Sequence, residues 1–140
     1  MTDERLPQPS DSVRIVLHDP NDAGSFLVVR EIDDPDFKLP GGKLAEGESP
    51  EDAAKRELRE ELGEANPAIE IKQVGTLPNN DGISRRYIFV GTASKENVGV
   101  TDEVAEVQTV RLGDIPEGKH REHIRAAAEF ALAHLRSEKK

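Results

Sequence analysis

Three glutamates lie close together near the middle of the chain, at Glu57, Glu60 and Glu61. On an α-helix, positions i, i+3 and i+4 share one face, so the three carboxylates are expected to converge. Hard divalent cations such as Mg²⁺ bind carboxylate, carbonyl and water oxygens and share substrate phosphates. The spacing is compatible with a cation site, but a solvated acidic surface is the more common interpretation of such a helix taken alone.

The residues before the glutamates favour the cation site. Gly41 and Gly42 allow positive φ and close backbone approach, so a loop here can present carbonyls and amides beside the helix. The formal net charge of -9 points the same way, because an acidic protein that handles a polyanion usually relies on bound divalent cations. The loop and the helix together form a candidate binding site for a metal ion and a diphosphate.

The helix that carries the glutamates has clear boundaries in the sequence. Ser49 is a typical N-cap, Pro50 suits the first helical position, and Gly63 suits the exit at the other end. These signals predict a helix from Pro50 to Leu62. Another face of the helix carries apolar side chains spaced by four, at Ala54, Leu58 and Leu62.

This segment resembles the Nudix box, G-x5-E-x7-R-E-U-x-E-E-x-G-U, where U is apolar. Gly42, Glu48 and the run from Arg56 to Gly63 supply eight of its fixed positions. The departure is Glu64, where an apolar residue is usual and helps to seat the helix exit. On these motifs the chain is similar to the Nudix hydrolases, the MutT-like family.

The resemblance implies a Mg²⁺ site, with Mn²⁺ as an alternative ion, and names its ligands. These are Glu57, Glu60, Glu61 and the Gly41 carbonyl, of which Glu61 and the Gly41 carbonyl are the first choices. Glu57 is alternatively the residue that orients or deprotonates water.

Two further residues of the box have supporting roles in this scheme. Arg56 and Glu48 resemble a supporting ion pair in which a planar guanidinium holds a carboxylate and positions the loop against the helix. Gly42 has a structural role. Loss of either charged partner is expected to misplace the ligands and slow the reaction.

The implied activity is substitution at phosphorus by a metal-activated water, which cleaves a diphosphate linkage. The substrate is expected to be a nucleoside diphosphate derivative such as a nucleoside triphosphate, ADP-ribose, a nucleotide sugar or a dinucleoside polyphosphate. Two alternatives belong to other functional classes. One is a catalytically silent Nudix-like module that senses a nucleotide, and the other is an unrelated acidic interaction domain.

Residues outside the box complete the candidate site. Glu103 is the first choice for a general base and Glu106 the second, with surface glutamates as the alternative interpretation. Arg85 and Arg86, at the start of a predicted strand, are candidate phosphate-binding residues or else a solvated sheet edge.

Several other residues have two interpretations each. Tyr87 and Phe89 share one sheet face and could stack on a base or pack in the core. Pro78 lies where ADP-ribose-cleaving relatives often carry a proline, and it also suits a simple turn. His120 and His123 have helical spacing without a further ligand pattern, so we expect them to be surface residues.

Strands on both sides of the glutamate helix predict an α/β fold. The family resemblance specifies an α/β/α sandwich with a mixed central sheet. The predicted strands are rich in β-branched and aromatic residues and are separated by turn formers. They are Val13–Leu17, Phe26–Val29, Phe37–Leu39, Ile69–Leu77, Arg86–Val90 and Val104–Leu112, and an amphipathic helix is predicted over His120–Arg136.

Length and composition predict one domain. The chain has 140 residues, of which 1–11 are expected to be a flexible leader and 12–138 a single domain. With no cysteine, apolar runs too short to span a bilayer and no secretion signal, a cytoplasmic location without membrane contact is expected. The acidic charge argues against non-specific nucleic-acid binding. The expected partner is a small nucleotide-like diphosphate, and the protein is expected to be a monomer or homodimer.

Overall fold

The computed structural model describes residues 6–22, 24–63 and 69–138. Two α-helices and seven strands lie in these ranges. Glu64, where the sequence departs from the Nudix box, lies outside the described residues, as do residues 1–5 of the predicted leader. The elements are β1 (Ser12–His18), β2 (Ser25–Glu31), β3 (Phe37–Lys38), β4 (Gly41–Lys43), α1 (Pro50–Leu62), β5 (Ile71–Pro78), β6 (Arg85–Thr92), β7 (Val104–Arg111) and α2 (Arg121–Glu138).

The described strands form one mixed sheet. Its main path has the order β3-β2-β1-β6-β5, while β4 pairs with β1 and β7 pairs with β2. β1 and β6 run parallel, and the other pairs are antiparallel. The predicted mixed sheet is therefore confirmed.

One helix covers each face of the sheet, because the strands alternate their apolar side chains between two cores. In β1, Val13 and Ile15 pack in the core that α1 covers, while Val16 packs in the core under α2. In β6, Phe89 faces α1 and Ile88 faces α2. This arrangement confirms the α/β/α sandwich and buries β6 on both faces.

The Gly-Gly segment is a strand and not the free loop that the sequence suggested. β4 pairs antiparallel with β1, with Gly42 opposite Val13. At Gly41 the backbone has φ +142°, and an added Cβ would lie 2.0 Å from the carbonyl oxygen of Val13. Glycine is required because the two backbones approach too closely for any side chain.

The burial pattern of β7 does not follow simple strand alternation. Alternation would place Val104, Glu106, Gln108 and Val110 on one face, but the buried residues are Val104, Val107 and Val110. The register against β2 shifts at this point, because Arg30 pairs with Glu106 whereas Glu31 pairs with Val104. One extra residue, Ala105, therefore bulges and reverses the alternation.

The predicted leader ends in a residue that belongs to the folded structure. Asp11 is fully buried. Its carboxylate accepts hydrogen bonds from the backbone amides of Gln8 and Arg85, each 2.9 Å long. Its carbonyl accepts a third from Leu44 N at 3.1 Å. Asp11 thus ties the start of β1 to β6 and to the segment after β4.

Neither of the helices within the described ranges is long and apolar enough to cross a membrane.

Candidate active site

The helix α1 presents its acidic face because both of its ends are fixed locally. The Ser49 side chain accepts a hydrogen bond from Asp52 N at 3.1 Å, and Pro50 occupies the first turn. At the other end, Gly63 adopts φ 85° and its amide bonds to the Arg59 carbonyl. The predicted helix is confirmed, and Leu58 on its inner face packs in the core below the sheet.

Glu61 is the most buried carboxylate of this face, with 1% of its surface exposed. Its Oε1 accepts a 3.0 Å hydrogen bond from the amide of Gly41. Its Oε2 is buried without a hydrogen-bond partner, and the nearest cation is Lys38, whose Nζ lies 3.5 Å away. Burial raises the pKa of Glu61 to about 7, against the lowering effect of Lys38 and of the Gly41 amide. A buried carboxylate oxygen with no donor is the position at which a cation would be most stabilising.

Glu57 lies against the second glycine of β4. A Cβ added at Gly42 would be 2.5 Å from Glu57 Oε1 and 2.8 Å from its Cδ. Burial raises the pKa of Glu57 above its ordinary value, and the neighbouring charge of Arg56 works in the opposite direction. The structural role predicted for Gly42 therefore has a physical basis, because its missing side chain leaves the space that this carboxylate fills.

Arg56 joins the acidic residues of the site to one another. Its Nε and Nη2 bind the two carboxylate oxygens of Glu48, each at 2.9 Å, and Nη2 also bonds to the Lys43 carbonyl at 3.0 Å. Its Nη1 lies 3.0 Å from Oε1 of both Glu57 and Glu60. The Arg56 side chain lowers the pKa of Glu48 to about 2. The predicted pair of Arg56 and Glu48 is present with bidentate geometry.

The three carboxylates do not converge on a common point as the helical spacing suggested. Arg56 forms ion pairs with Glu57 and Glu60, whereas the Glu61 carboxylate accepts a hydrogen bond from the Gly41 amide. In the part of the chain that the structure describes, no three His, Asp or Glu side chains are arranged to hold a metal ion as they stand. The donor chemistry nevertheless fits a hard cation, since the nearby donors are carboxylate oxygens and Glu61 Oε2 has no hydrogen-bond partner.

Gly41 contacts the site through its amide, whereas the family resemblance pointed to its carbonyl. The amide donates to Glu61. The backbone at Gly41 is fixed by pairing with Arg14 of β1. Gly41 thus orients Glu61 in this structure, and ligation by the Gly41 carbonyl stays a prediction.

The two candidate bases differ in their surroundings. Glu103 is exposed, and its segment contacts the end of α1 because Thr101 N bonds to the Glu61 carbonyl at 3.3 Å. Glu106 forms an ion pair with Arg30 at 3.4 Å and also accepts from Gln108. Glu103 is therefore the candidate that is free to approach a water molecule, and its role stays a prediction.

Arg85 and Arg86, the predicted phosphate-binding residues, lie apart from the acidic face. Arg86 is 6% exposed, and its guanidinium donates to the carbonyls of His123 and Pro78 at 3.4 and 3.3 Å. Arg85 lines a surface depression of about 280 Å³ that Pro78 also lines. Arg86 supports α2 and is not a solvated edge, and phosphate binding by Arg85 or Arg86 stays a prediction.

The aromatic residues of β6 belong to the core. Tyr87 is 5% exposed and Phe89 is 2% exposed, and both pack in the cluster under α1. Core packing, rather than stacking on a base, is therefore what the structure shows for both rings.

A pocket on the α2 side contains residues that the sequence did not single out. Its described lining residues are Arg14, Lys38, Leu39, His120, His123 and Ile124. The two histidines are half-buried, so they lie at the surface as predicted and also line this pocket. One feature of the sequence could have indicated Arg14. It is a charged residue inside the apolar run Val13–Leu17, and a charge in such a run must have a specific environment.

Comparison with known proteins places this arrangement in a family. The family model of the NUDIX domain matches residues 8–130. A relative from Bacillus subtilis (strain 168), named as a candidate 8-oxo-dGTP diphosphatase, is 32% identical over 97 residues, which are 69% of this chain and 64% of the relative. The chain thus spans less than two thirds of that relative.

Solved structures share the fold. The NUDIX domain of Shewanella oneidensis NrtR, in complex with ADP ribose, has a TM-score of 0.66 and 23% identity, covering 93% of this chain and 90% of that one. An ADP-ribose pyrophosphatase from Streptococcus suis 89-1591 has a TM-score of 0.68 and 19% identity, covering 94% and 95%. The matched range includes the glutamate helix and both flanking sheet segments. This chain belongs to the Nudix family.

Proposed function

We propose that this chain is a metal-dependent hydrolase that cleaves the diphosphate linkage of a nucleoside diphosphate derivative. The observation that carries the proposal is the buried Oε2 of Glu61, which has no hydrogen-bond donor although the Gly41 amide satisfies Oε1 of the same carboxylate. Burying a carboxylate oxygen without a hydrogen-bond donor is costly, and the Lys38 ammonium 3.5 Å away compensates for it only in part, so a divalent cation would stabilise it further. Mg²⁺ suits this oxygen-rich site, and Mn²⁺ is the alternative ion.

In this proposal the ligands are Glu57, Glu60 and Glu61, with the Gly41 carbonyl as a further donor. A bound divalent cation would neutralise diphosphate charge and lower the pKa of water. The Gly41 amide holds Glu61 in place, and the space at Gly42 accommodates Glu57. These contacts fix the positions from which the carboxylates act.

Arg56 has a positioning role in the proposed reaction. It holds Glu48 through two hydrogen bonds and the backbone of β4 through the Lys43 carbonyl, which fastens the glycine segment to α1. Its bonds to Glu57 and Glu60 keep two like charges close together in the absence of a cation. Glu103 is the proposed base that accepts a proton from the attacking water.

The names of relatives support the choice of substrate class. The Bacillus subtilis relative is named for 8-oxo-dGTP, and the Streptococcus suis structure for ADP-ribose. Both compounds contain a diphosphate joined to a nucleoside. We propose the same class for this chain.

A nucleotide-binding module without turnover is the second candidate. The ion pairs of Arg56 with Glu57 and Glu60 favour it, because they occupy two of the three carboxylates. The Shewanella oneidensis NUDIX domain of the same fold was crystallised with ADP ribose bound. Such a module would bind nucleotides and leave them intact.

One experiment separates the two candidates. The full chain is incubated with nucleoside triphosphates, ADP-ribose, nucleotide sugars and dinucleoside polyphosphates, with Mg²⁺, with Mn²⁺ or with EDTA. Hydrolysis that requires the cation and falls at least about 100-fold in Glu61→Gln supports the enzyme. Glu51→Gln, on an exposed face of α1, is the matched control and should retain activity. Nucleotide binding without hydrolysis of any compound would establish the second candidate instead.

A further inference from the structure

Two basic side chains compensate for the charges on the acidic face of α1. Arg56 forms ion pairs with Glu57 and Glu60, whereas Lys38 lies beside Glu61. Arg56 belongs to the Nudix box and to the same helix as the glutamates, but Lys38 lies in β3, outside the box. The charge of the most buried carboxylate is therefore compensated by a residue from a strand.

The ammonium group of Lys38 lies between two carboxylates. Its Nζ is 2.9 Å from Oε1 of Glu31 and 3.5 Å from Oε2 of Glu61. The exposed fraction of the side chain is 36% for Glu31, 12% for Lys38 and 1% for Glu61. Lys38 thus makes its shorter contact with the more exposed carboxylate, and its contact with Glu61 is an ion pair without a hydrogen bond to Oε2.

The sheet determines the position of the Lys38 side chain. Lys38 is paired directly with Val29 of β2, and Val29 packs in the core that α1 covers. Directly paired residues of neighbouring strands share a face of the sheet, so Lys38 points toward α1. Glu31 lies two residues after Val29 and shares that face as well. Two paired strands therefore place the ammonium group beside Glu61, and no flexible surface side chain has to be ordered.

A divalent cation on Glu61 and the present contact of Lys38 oppose each other. Mg²⁺ binds oxygen ligands at about 2.0–2.1 Å, and Nζ lies 3.5 Å from the same Oε2. The cation and the ammonium group would thus be less than about 6 Å apart. Like charges repel strongly at this separation in a buried site. The cation must therefore weaken the contact between Lys38 and Glu61.

Glu31 makes this exchange possible. Because Nζ already lies 2.9 Å from Glu31, the ammonium group keeps a counter-charge when it moves away from Glu61. The divalent cation also brings two charges to Glu61 in place of one. Lys38 can therefore yield the Oε2 of Glu61 to a divalent cation without being left unpaired.

We propose that Lys38 is a built-in counter-cation of Glu61, which competes with the divalent cation and so limits its affinity. The inference rests on the cation site of the proposed hydrolase. Lys38 is a positioning residue in this scheme, because it acts through Glu61. Without a divalent cation it stabilises the buried carboxylate, and it lowers the affinity for the cation that replaces it.

The first test measures Mn²⁺ binding to the full chain at pH 8 by electron paramagnetic resonance. Lys38→Met keeps the apolar stem and removes the ammonium group, so this variant should bind Mn²⁺ at least about 10-fold more tightly than the wild type. Lys55→Met is the matched control, because Lys55 pairs with Glu51 on the exposed surface of α1, and it should bind Mn²⁺ like the wild type.

The gain in affinity should persist between about 0.05 M and about 0.5 M KCl, because salt screens a buried contact much less than distant surface charges. Equal or weaker Mn²⁺ binding by Lys38→Met would overturn the proposal. A gain that disappears at high salt would also overturn it, since a general effect of net charge would then explain the difference.

The second test measures thermal unfolding. In EDTA at pH 8, Lys38→Met should unfold at least about 5 °C below the wild type, because Glu61 has lost its counter-charge. Saturating Mn²⁺ should remove most of this difference, and Lys55→Met should unfold like the wild type in both conditions. A loss of stability that Mn²⁺ leaves unchanged would show that Lys38 contributes packing alone.

Glu31→Gln decides the outcome if Lys38→Met does not fold. In this variant Lys38 has Glu61 as its remaining carboxylate partner of the two, so Mn²⁺ should bind at least about 3-fold more weakly. Unchanged or tighter binding would overturn the proposal. Absence of Mn²⁺ binding by the wild type would instead contradict the proposed metal-dependent function. Wild-type binding with no gain in Lys38→Met would leave that function standing and refute the competition.

Discussion

The amide nitrogen of Gly41 donates a 3.0 Å hydrogen bond to Oε1 of Glu61, although the two residues are 20 positions apart in the chain. This bond connects β4, which is fixed by pairing with β1, to the last turn of α1. It satisfies one oxygen of a buried carboxylate and leaves the other without a donor. The position of Glu61 is thus determined by the sheet as much as by its own helix.

The space at Gly42 provides the first prediction. In Gly42→Ala, the new Cβ would lie 2.5 Å from Glu57 Oε1, so the Glu57 side chain must move while the backbone stays in place. We expect kcat/KM to fall by about 100-fold, as for an ångström-scale misplacement of a reacting group. The thermal unfolding temperature should change little, because the displaced atoms are the end of a side chain.

Gly113→Ala is the matched control, because an added Cβ there meets no atom within 4 Å. Steady-state kinetics and thermal unfolding are measured for both variants. Wild-type activity in Gly42→Ala would show that the position of Glu57 does not matter to the reaction.

The second prediction concerns the link between Arg56 and Glu48. In Arg56→Lys, the new side chain lacks the planar guanidinium of arginine. It therefore cannot bind both carboxylate oxygens of Glu48 and the Lys43 carbonyl at the same time. We expect the free energy of unfolding to fall by about 1.5–3 kcal/mol, the range for hydrogen bonds to charged groups. Urea denaturation measures the loss.

A double-mutant cycle with Glu48→Gln should give a coupling energy of about 0.5–3 kcal/mol. The exposed pair of Glu51 and Lys55 on the same helix is the comparison, and Glu51→Gln should cost less than about 1 kcal/mol. Additive effects of the Arg56 and Glu48 variants would refute the proposed support of the glycine segment.

The third prediction is a pH dependence of stability in EDTA. Burial raises the pKa of Glu61 from 4.5 to about 7 in the folded chain. Below about pH 4.5 this carboxyl is protonated in both states, and between pH 4.5 and 7 the unfolded chain loses the proton first. The free energy of unfolding should therefore fall by roughly 3 kcal/mol across this window through Glu61 and stay level above it.

Urea denaturation at pH 5 and pH 8 measures this difference in the wild type and in Glu61→Gln. The variant carries no titrating group at this position, so most of the decrease should disappear. An equal decrease in both proteins would exclude Glu61 as its source. Adding Mg²⁺ at pH 8 should restore stability to the wild type alone, because the proposed cation compensates for the buried charge.

Local patterns in the sequence were sufficient to predict α1 and an α/β fold, and the family resemblance specified the α/β/α sandwich. Ser49, Pro50 and Gly63 fix the ends of the helix through contacts with near neighbours. Eight positions of the Nudix box then identify the family, and the family model that matches residues 8–130 confirms it.

The remaining features depend on contacts between distant segments. β4 exists because Gly41 and Gly42 can lie against β1, which no local propensity indicates. The bulge at Ala105 depends on the pairing register of β2 and β7. The prediction that the three glutamates converge was wrong, because Arg56 forms ion pairs with two of them and the Gly41 amide hydrogen-bonds to the third.

The pocket on the α2 side was not predicted for the same reason. Arg14, Lys38 and His123 belong to three elements that are brought together only by the packing of α2 on the sheet. Without that packing, the two histidines look like solvated helix residues. Alternation in β1 places Arg14 on the α2 side, but only the tertiary structure shows what faces it.

The most direct way to test whether Glu61 holds a divalent cation is to measure Mn²⁺ binding by electron paramagnetic resonance. The wild-type chain and Glu51→Gln should bind Mn²⁺ with the same affinity, and Glu61→Gln should bind it at least about 10-fold more weakly. Equal Mn²⁺ affinity in Glu61→Gln and the wild type would contradict the claim that this buried carboxylate is a metal ligand.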